Sequence, residues 1–166
     1  MRHGLIIKNI RICDVWLLVY SNGSNEYISN IFTTDKQNKY LGIYCQCVEF
    51  VRRYIYKKYN INLADKWNEG NACDWFNNID CMGLVKVDPK EAQEGDIITF
   101  TGGLYGHIGL IIKEGKSLYM VSQNLFNDNR DIKTYLQPEI LQNKKSLKAN
   151  NHYYRFQAVI RVKDFK

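Results

Sequence analysis

At 166 residues, 45% hydrophobic and 13% aromatic, the chain has the material for one buried core and is too apolar to be disordered. A net charge of +6 and a pI near 9.0 favour contact with polyanions such as anionic cell wall, but the cations are scattered in no run of five or more. No zinc-finger or RNA-binding signature interleaves them, so a nucleic-acid partner is not expected.

Leu5 to Tyr20 alternates loosely and should give a strand or an irregular apolar arm. Lys8, Asn9, Arg11 and Asp14 interrupt it, so neither a signal peptide nor a membrane span is expected. Ser21-Asn22-Gly23-Ser24-Asn25 reads as a turn. Residues 25–44 are polar and aromatic with little periodicity and read as a long approach loop ending near Gly42. From Cys47 to Tyr59 the spacing of Val48, Val51 and Ile55 predicts a helix, with Arg52, Arg53, Lys57 and Lys58 on its wet face. Asn60-Ile61-Asn62 ends it, and a second short helix is expected over 71–78, around Trp75 and Phe76. After Asp88-Pro89 the period changes to two, predicting strands over 96–100, 106–112, 117–122 and 155–162. Helices early and antiparallel strands late argue an α+β fold. Two prolines and no linker, repeat or low-complexity tract leave residues 1–166 as one domain.

The five cysteines, Cys13, Cys45, Cys47, Cys73 and Cys81, are odd in number and irregular in spacing. A disulfide framework favours an even count, and paired C-x2-C zinc spacing is absent. The thiols are expected to be reduced, the compartment cytoplasmic, and no metal or organic cofactor is implied.

Two groups carry chemistry. Cys47 stands at the mouth of the predicted helix, where the helix end favours the thiolate and should lower its pKa. His107 opens a strand between Gly106 and Gly109. A lone core histidine is ordinarily held by backbone, and a lone cysteine is ordinarily structural. Together they form a nucleophile and its base. Hairpin geometry constrains a third member. A two-residue loop at Glu114-Gly115 pairs His107 with Ser122, and a four-residue loop pairs it with Asn124. Cross-strand neighbours lie about 5 Å apart at the β-carbon, so Ser122 or Asn124 should orient the imidazole. Glu49 is expected to complement the helix dipole, and Asp96 to serve a turn or a hydrogen bond.

At Gln46-Cys47-Val48-Glu49-Phe50, Gly70-Asn71-Ala72, Glu94-Gly95-Asp96-Ile97, Gly106-His107-Ile108-Gly109 and Gln123-Asn124 the chain resembles the CHAP family, cysteine- and histidine-dependent amidohydrolases/peptidases. Among these, Ser21-Asn22-Gly23 and the segment from Tyr40 to Tyr54 most resemble the amidase domain of glutathionylspermidine and trypanothione synthetases. The resemblance implies a papain-like (NlpC/P60-type) core with Cys47 as nucleophile and His107 as general base. The family's Glu-Gln-Asn run reads Ser122-Gln123-Asn124, so the orienting carboxylate is missing, and the usual aromatic residue before Gln-Cys is Cys45. The implied reaction is amide hydrolysis through a thioester, the oxyanion held by the Cys47 N–H with Gln46. The expected substrate is a small-molecule or peptide amide, first a glutathionylspermidine-type conjugate. The alternatives are peptidoglycan or a catalytically impaired binding module. The protein is expected to act as a monomer.

Overall fold

The structure is a computed structural model, described for residues 4, 6–21, 30–125, 132–149 and 151–163. Residues 22–25 of the expected turn, and Leu5 at the start of the expected arm, lie outside the described residues.

The N-terminal apolar stretch is a hairpin of β1 (Ile6–Ile12) and β2 (Val15–Tyr20), turned at Cys13 with a φ of 52°. The expected approach loop contains a second hairpin, β3 (Phe32–Thr34) with β4 (Tyr40–Ile43), whose pairing slips between Thr33 and Thr34. Three-residue strands with such a shift leave no period-two signal to read. Then come α1 (Cys47–Tyr59), a 3-10 turn over 63–65, and a 3-10 helix over 72–78 that runs into α2 (Ile79–Met82). The rest is β5 (Leu84–Val87), β6 (Ile97–Gly102), β7 (His107–Glu114), β8 (Ser117–Val121), β9 (Lys133–Tyr135), α3 (Pro138–Leu141), β10 (Leu147–Ala149) and β11 (His152–Val162).

The main sheet is antiparallel in the order β10-β11-β6-β7-β8-β9, with β5 pairing β11. The early helices against a late antiparallel sheet make the fold α+β, as the element order predicts. The sheet is covered on both faces. Ile97, Ile108, Leu110 and Ile160 join Phe50, Val51, Tyr54 and Ile55 of α1 and the β1–β2 hairpin in one cluster. Ile98, Phe100, Ile111 and Met120 join Leu136, Ile140 and Leu147 in the other. Strands buried on both sides read as continuous apolar runs, which is why Ile97-Ile98 and Ile111-Ile112 carry no polar alternation.

Helix α1 starts and ends where its sequence predicts. Asn60 closes it in the left-handed region at φ 57°, donating its N–H to Tyr56 O at 2.9 Å, with Lys57 and Lys58 in the last turn. Complete burial of Phe50, Val51 and Ile55 contributes roughly 5–9 kcal/mol of transfer free energy. Its wet face is narrower than expected, because Arg52 and Arg53 are buried. Arg52 donates to Leu41 O at 3.3 Å and Trp67 O at 2.8 Å and lies over the Trp75 ring. Arg53 donates to Leu18 O at 2.7 Å. The β2 and β4 hairpins cover a helix face that charge alone assigns to solvent. Gly42 permits that approach, since a Cβ there would sit 2.8 Å from the Glu49 Cβ.

Candidate active site

Helix α1 presents its first residue, Cys47, to the start of β7. Gln46 is the N-cap, in extended conformation, and its side chain makes no cap bond. The backbone N–H groups of Ile108, Val48 and Cys47 itself each favour the Cys47 thiolate. Ile108 N–H belongs to the peptide that joins it to His107, so the thiol lies by the backbone at the start of β7. Gly106, at φ 69°, makes the turn into β7 where a Cβ would meet Phe100 O at 2.5 Å and the Cys73 Cβ at 2.7 Å. Only glycine fits that turn.

The electrostatics differ from the expectation for a helix-end cysteine. Burial pushes the Cys47 thiol up to about 11, and the three N–H groups pull it only part of the way back. Desolvation of the anion outweighs the helix end here. Burial likewise pushes His107 down to about 3. His107 is 2% exposed, and its Nε2 has no hydrogen-bond partner among the described residues. At neutral pH the resting pair is therefore a thiol and a neutral imidazole with an open ring nitrogen. A thiol can give up a proton and a neutral imidazole can accept one, so the two residue types have the chemistry of a nucleophile and a base.

The strand ladder decides the hairpin register. Glu114 pairs Ser117 and Leu110 pairs Val121, which is the register that sets His107 opposite Asn124 rather than Ser122. The turn is the two residues Gly115-Lys116, tighter than the four-residue loop expected for this register. Pairing stops at Val121, and Asn124 takes a left-handed φ of 59°, so it leaves the strand before reaching the histidine's row. Its Nδ2 donates instead to Gln46 Oε1 at 2.9 Å, tying the end of β8 to the cap of α1. Ser122 is buried and donates its N–H to Ile132 O at 3.0 Å. The structure thus brings Cys47 to the His107–Ile108 peptide and joins Gln46 with Asn124.

Two groups at the site carry no role in the sequence reading. Gln123 is 1% exposed. Its Oε1 accepts from Tyr20 N–H at 2.8 Å and Arg53 Nη2 at 3.2 Å, and its Nε2 donates to Glu49 Oε2 at 3.1 Å and Gln46 O at 3.3 Å. Glu49, which was expected only to face the helix dipole, is completely buried and pairs with Arg53 Nε at 2.7 Å. The i,i+4 spacing of Glu49 and Arg53 is the signal that could have found that pair. The second group is Tyr154 of β11, whose ring lies 5.8 Å from that of His107. Asp96 behaves as expected, accepting Gln93 N–H and pairing with Arg161.

A family model of the CHAP domain matches residues 35–124, more than half of the chain. The chain belongs to the CHAP family. Membership implies hydrolysis of amide or peptide bonds, often in peptidoglycan. The matched segment contains Gln46, Cys47, His107, Ser122 and Asn124, and ends before Tyr154. No curated protein matches the chain. Among the described residues of this CHAP domain no group of three His, Cys, Asp or Glu side chains is placed to hold a metal ion. No described helix is long and apolar enough to cross a membrane.

Proposed function

We propose that the protein is a cysteine-dependent amidohydrolase of papain-like arrangement, with Cys47 as nucleophile and His107 as base. One observation carries the reading: a buried imidazole whose Nε2 has no partner among the described residues adjoins the peptide whose N–H favours the Cys47 thiolate. A buried nitrogen left without a partner costs about 1–3 kcal/mol, a cost that a structural histidine would avoid.

The steps follow from the two groups. The Cys47 thiol attacks the substrate carbonyl while its proton moves to His107 Nε2. The N–H groups at the start of α1, which already favour negative charge on the sulfur, are the donors assigned to the developing oxyanion. The imidazolium returns its proton to the leaving amine as the C–N bond breaks, leaving a thioester. Water, deprotonated by His107, then releases the acid and restores the thiol. Asn124 acts on this pair through Gln46, whose side chain it holds beside the nucleophile.

The substrate we assign is the peptide portion of peptidoglycan. Family membership supports a peptide-type amide, and the net charge of +6 supports attraction to an anionic wall. The test is hydrolysis of purified cell wall and of glutathionylspermidine, side by side, by the wild type and by Cys47→Ala. Release of wall peptide or amine that Cys47→Ala abolishes is the expected result. Cleavage of the conjugate alone replaces the substrate, and undiminished activity in Cys47→Ala removes the mechanism.

A further inference from the structure

We propose that Tyr154 is the positioning residue that holds His107 in its working orientation, supplied by β11 from outside the segment that carries the nucleophile and the base. The proposal rests on the reading of His107 as the base of Cys47.

The strand register places it. Phe156 pairs Phe100, Phe100 pairs His107, and Tyr154 pairs Gly102, so on β11 Tyr154 lies two residues from the histidine's own row. A bulge between Phe156 and Ala158 then shifts the alternation of β11. Before it, Tyr154 and Phe156 join the cluster of Phe100. After it, Ala158, Ile160 and Val162 join the cluster of α1. A strand without the extra residue would keep all five on one face. The bulge is what turns Tyr154 to the face of Phe100 and His107.

Once there, the phenol ring is 8% exposed and tilted 59° to the imidazole. Gly103 lies against the same ring, where a Cβ would be in ordinary van der Waals contact with it at 3.4 Å. A neutral imidazole with no bond at Nε2 can rotate about its terminal torsion and exchange nitrogen for carbon at the thiol. A tilted aromatic neighbour at this distance opposes that rotation, because the preferred ring-on-ring geometry is specific. Burial, and then the field of an ionised Cys47, keep the phenol protonated, so the wall beside the histidine stays neutral when the thiolate forms.

The test compares Tyr154→Phe, which keeps the ring, with Tyr154→Leu, which does not. Turnover is measured on purified cell wall, and the ring-nitrogen signals of His107 are followed by NMR. Tyr154→Leu should lower kcat at least about tenfold, with KM within about twofold, because orientation enters the chemical step. It should also shift the His107 ring signals. Tyr154→Phe should stay within about threefold of the wild type and leave those signals in place. If the leucine variant fails to fold, Tyr154→Met supplies a longer, more adaptable side chain of similar volume. Unmoved His107 signals in a folded variant without the ring overturn the proposal. So does a phenylalanine variant as impaired as the leucine one, which would assign the effect to the hydroxyl. His107→Ala separates the two levels: full activity there defeats the cysteine–histidine reading, while the NMR comparison still decides the ring contact.

Discussion

Two buried polar groupings flank the first turns of α1, and the protein treats them in opposite ways. Cys47 and Glu49 are two positions apart and so face away from each other across the helix. On the Glu49 side the carboxylate meets Arg53 and Gln123, Arg53 reaches Leu18 O, and Gln123 reaches Tyr20 and Gln46. On the Cys47 side, His107 Nε2 has no partner among the described residues, and both titratable groups are driven to their neutral forms. Glu49 and His107 are both buried while Cys47 is only half-buried, so burial of the polar residue alone does not separate the two sides. A saturated network fixes the backbone that carries the nucleophile, whereas an unsaturated one leaves a nitrogen available for a proton in flight.

The comparison breaks most visibly on the saturated side. Glu49→Ala leaves the Arg53 guanidinium buried without its carboxylate and should cost about 3–5 kcal/mol in urea unfolding. Replacing both residues, Glu49→Met with Arg53→Leu, should recover most of that loss. A single-variant cost below about 1 kcal/mol would show that the network carries no strain-bearing charge pair. On the unsaturated side the effect depends on pH. His107 titrates near 6.5 in the unfolded chain and at about 3 in the folded one. Its contribution is therefore intact above pH 6.5. As the pH falls from there toward 3, only the unfolded state gains the proton, and stability should decline by up to about 1.4 kcal/mol per pH unit. His107→Gln should flatten that part of the stability curve, and an identical acid slope in the variant would contradict a neutral buried imidazole.

The smallest expected effect lies where the two sides touch. Asn124 holds the Gln46 side chain while Gln123 holds the Gln46 carbonyl. Losing one such hydrogen bond is worth about 1 kcal/mol, so Asn124→Ala should reduce kcat about fivefold, and Ser122→Ala less than about twofold. Steady-state kinetics on both variants sharpens the contrast, and an equal loss would remove the distinction that the hairpin register draws between them.

The parts of this arrangement that were legible share a local cause. Val48, Val51 and Ile55 repeat at helical spacing and Asn60 stops the run, so the boundaries of α1 could be read. The β7–β8 hairpin followed from period-two alternation, and its two candidate registers included the one observed. The parts that were not legible depend on distant chain. Arg52 and Arg53 look solvated until β2 and β4 supply carbonyls and a covering layer. The Cys47 pKa follows helix position in sequence terms, but follows desolvation once the fold packs around the start of α1. Tyr154 escaped because the bulge after Phe156 breaks the alternation of β11. A pattern reading therefore begins the strand at Arg155, three residues after its start at His152 and just past Tyr154.

The position of β11 has a further consequence, in the order of events as the chain is made. It lies between β10 and β6 and also pairs β5, although roughly forty residues separate its end from the end of β8. At the usual pace of synthesis those residues take about 2–8 s to add. During that interval β6 has an open edge and β5 has no strand beside it, the condition in which nascent sheets recruit foreign strands or need a chaperone. Arrival of residues 152–162 closes the edge and, in the same step, brings Tyr154 against His107. A polypeptide interrupted before β11 therefore carries Cys47 and His107 without the ring that packs beside the histidine.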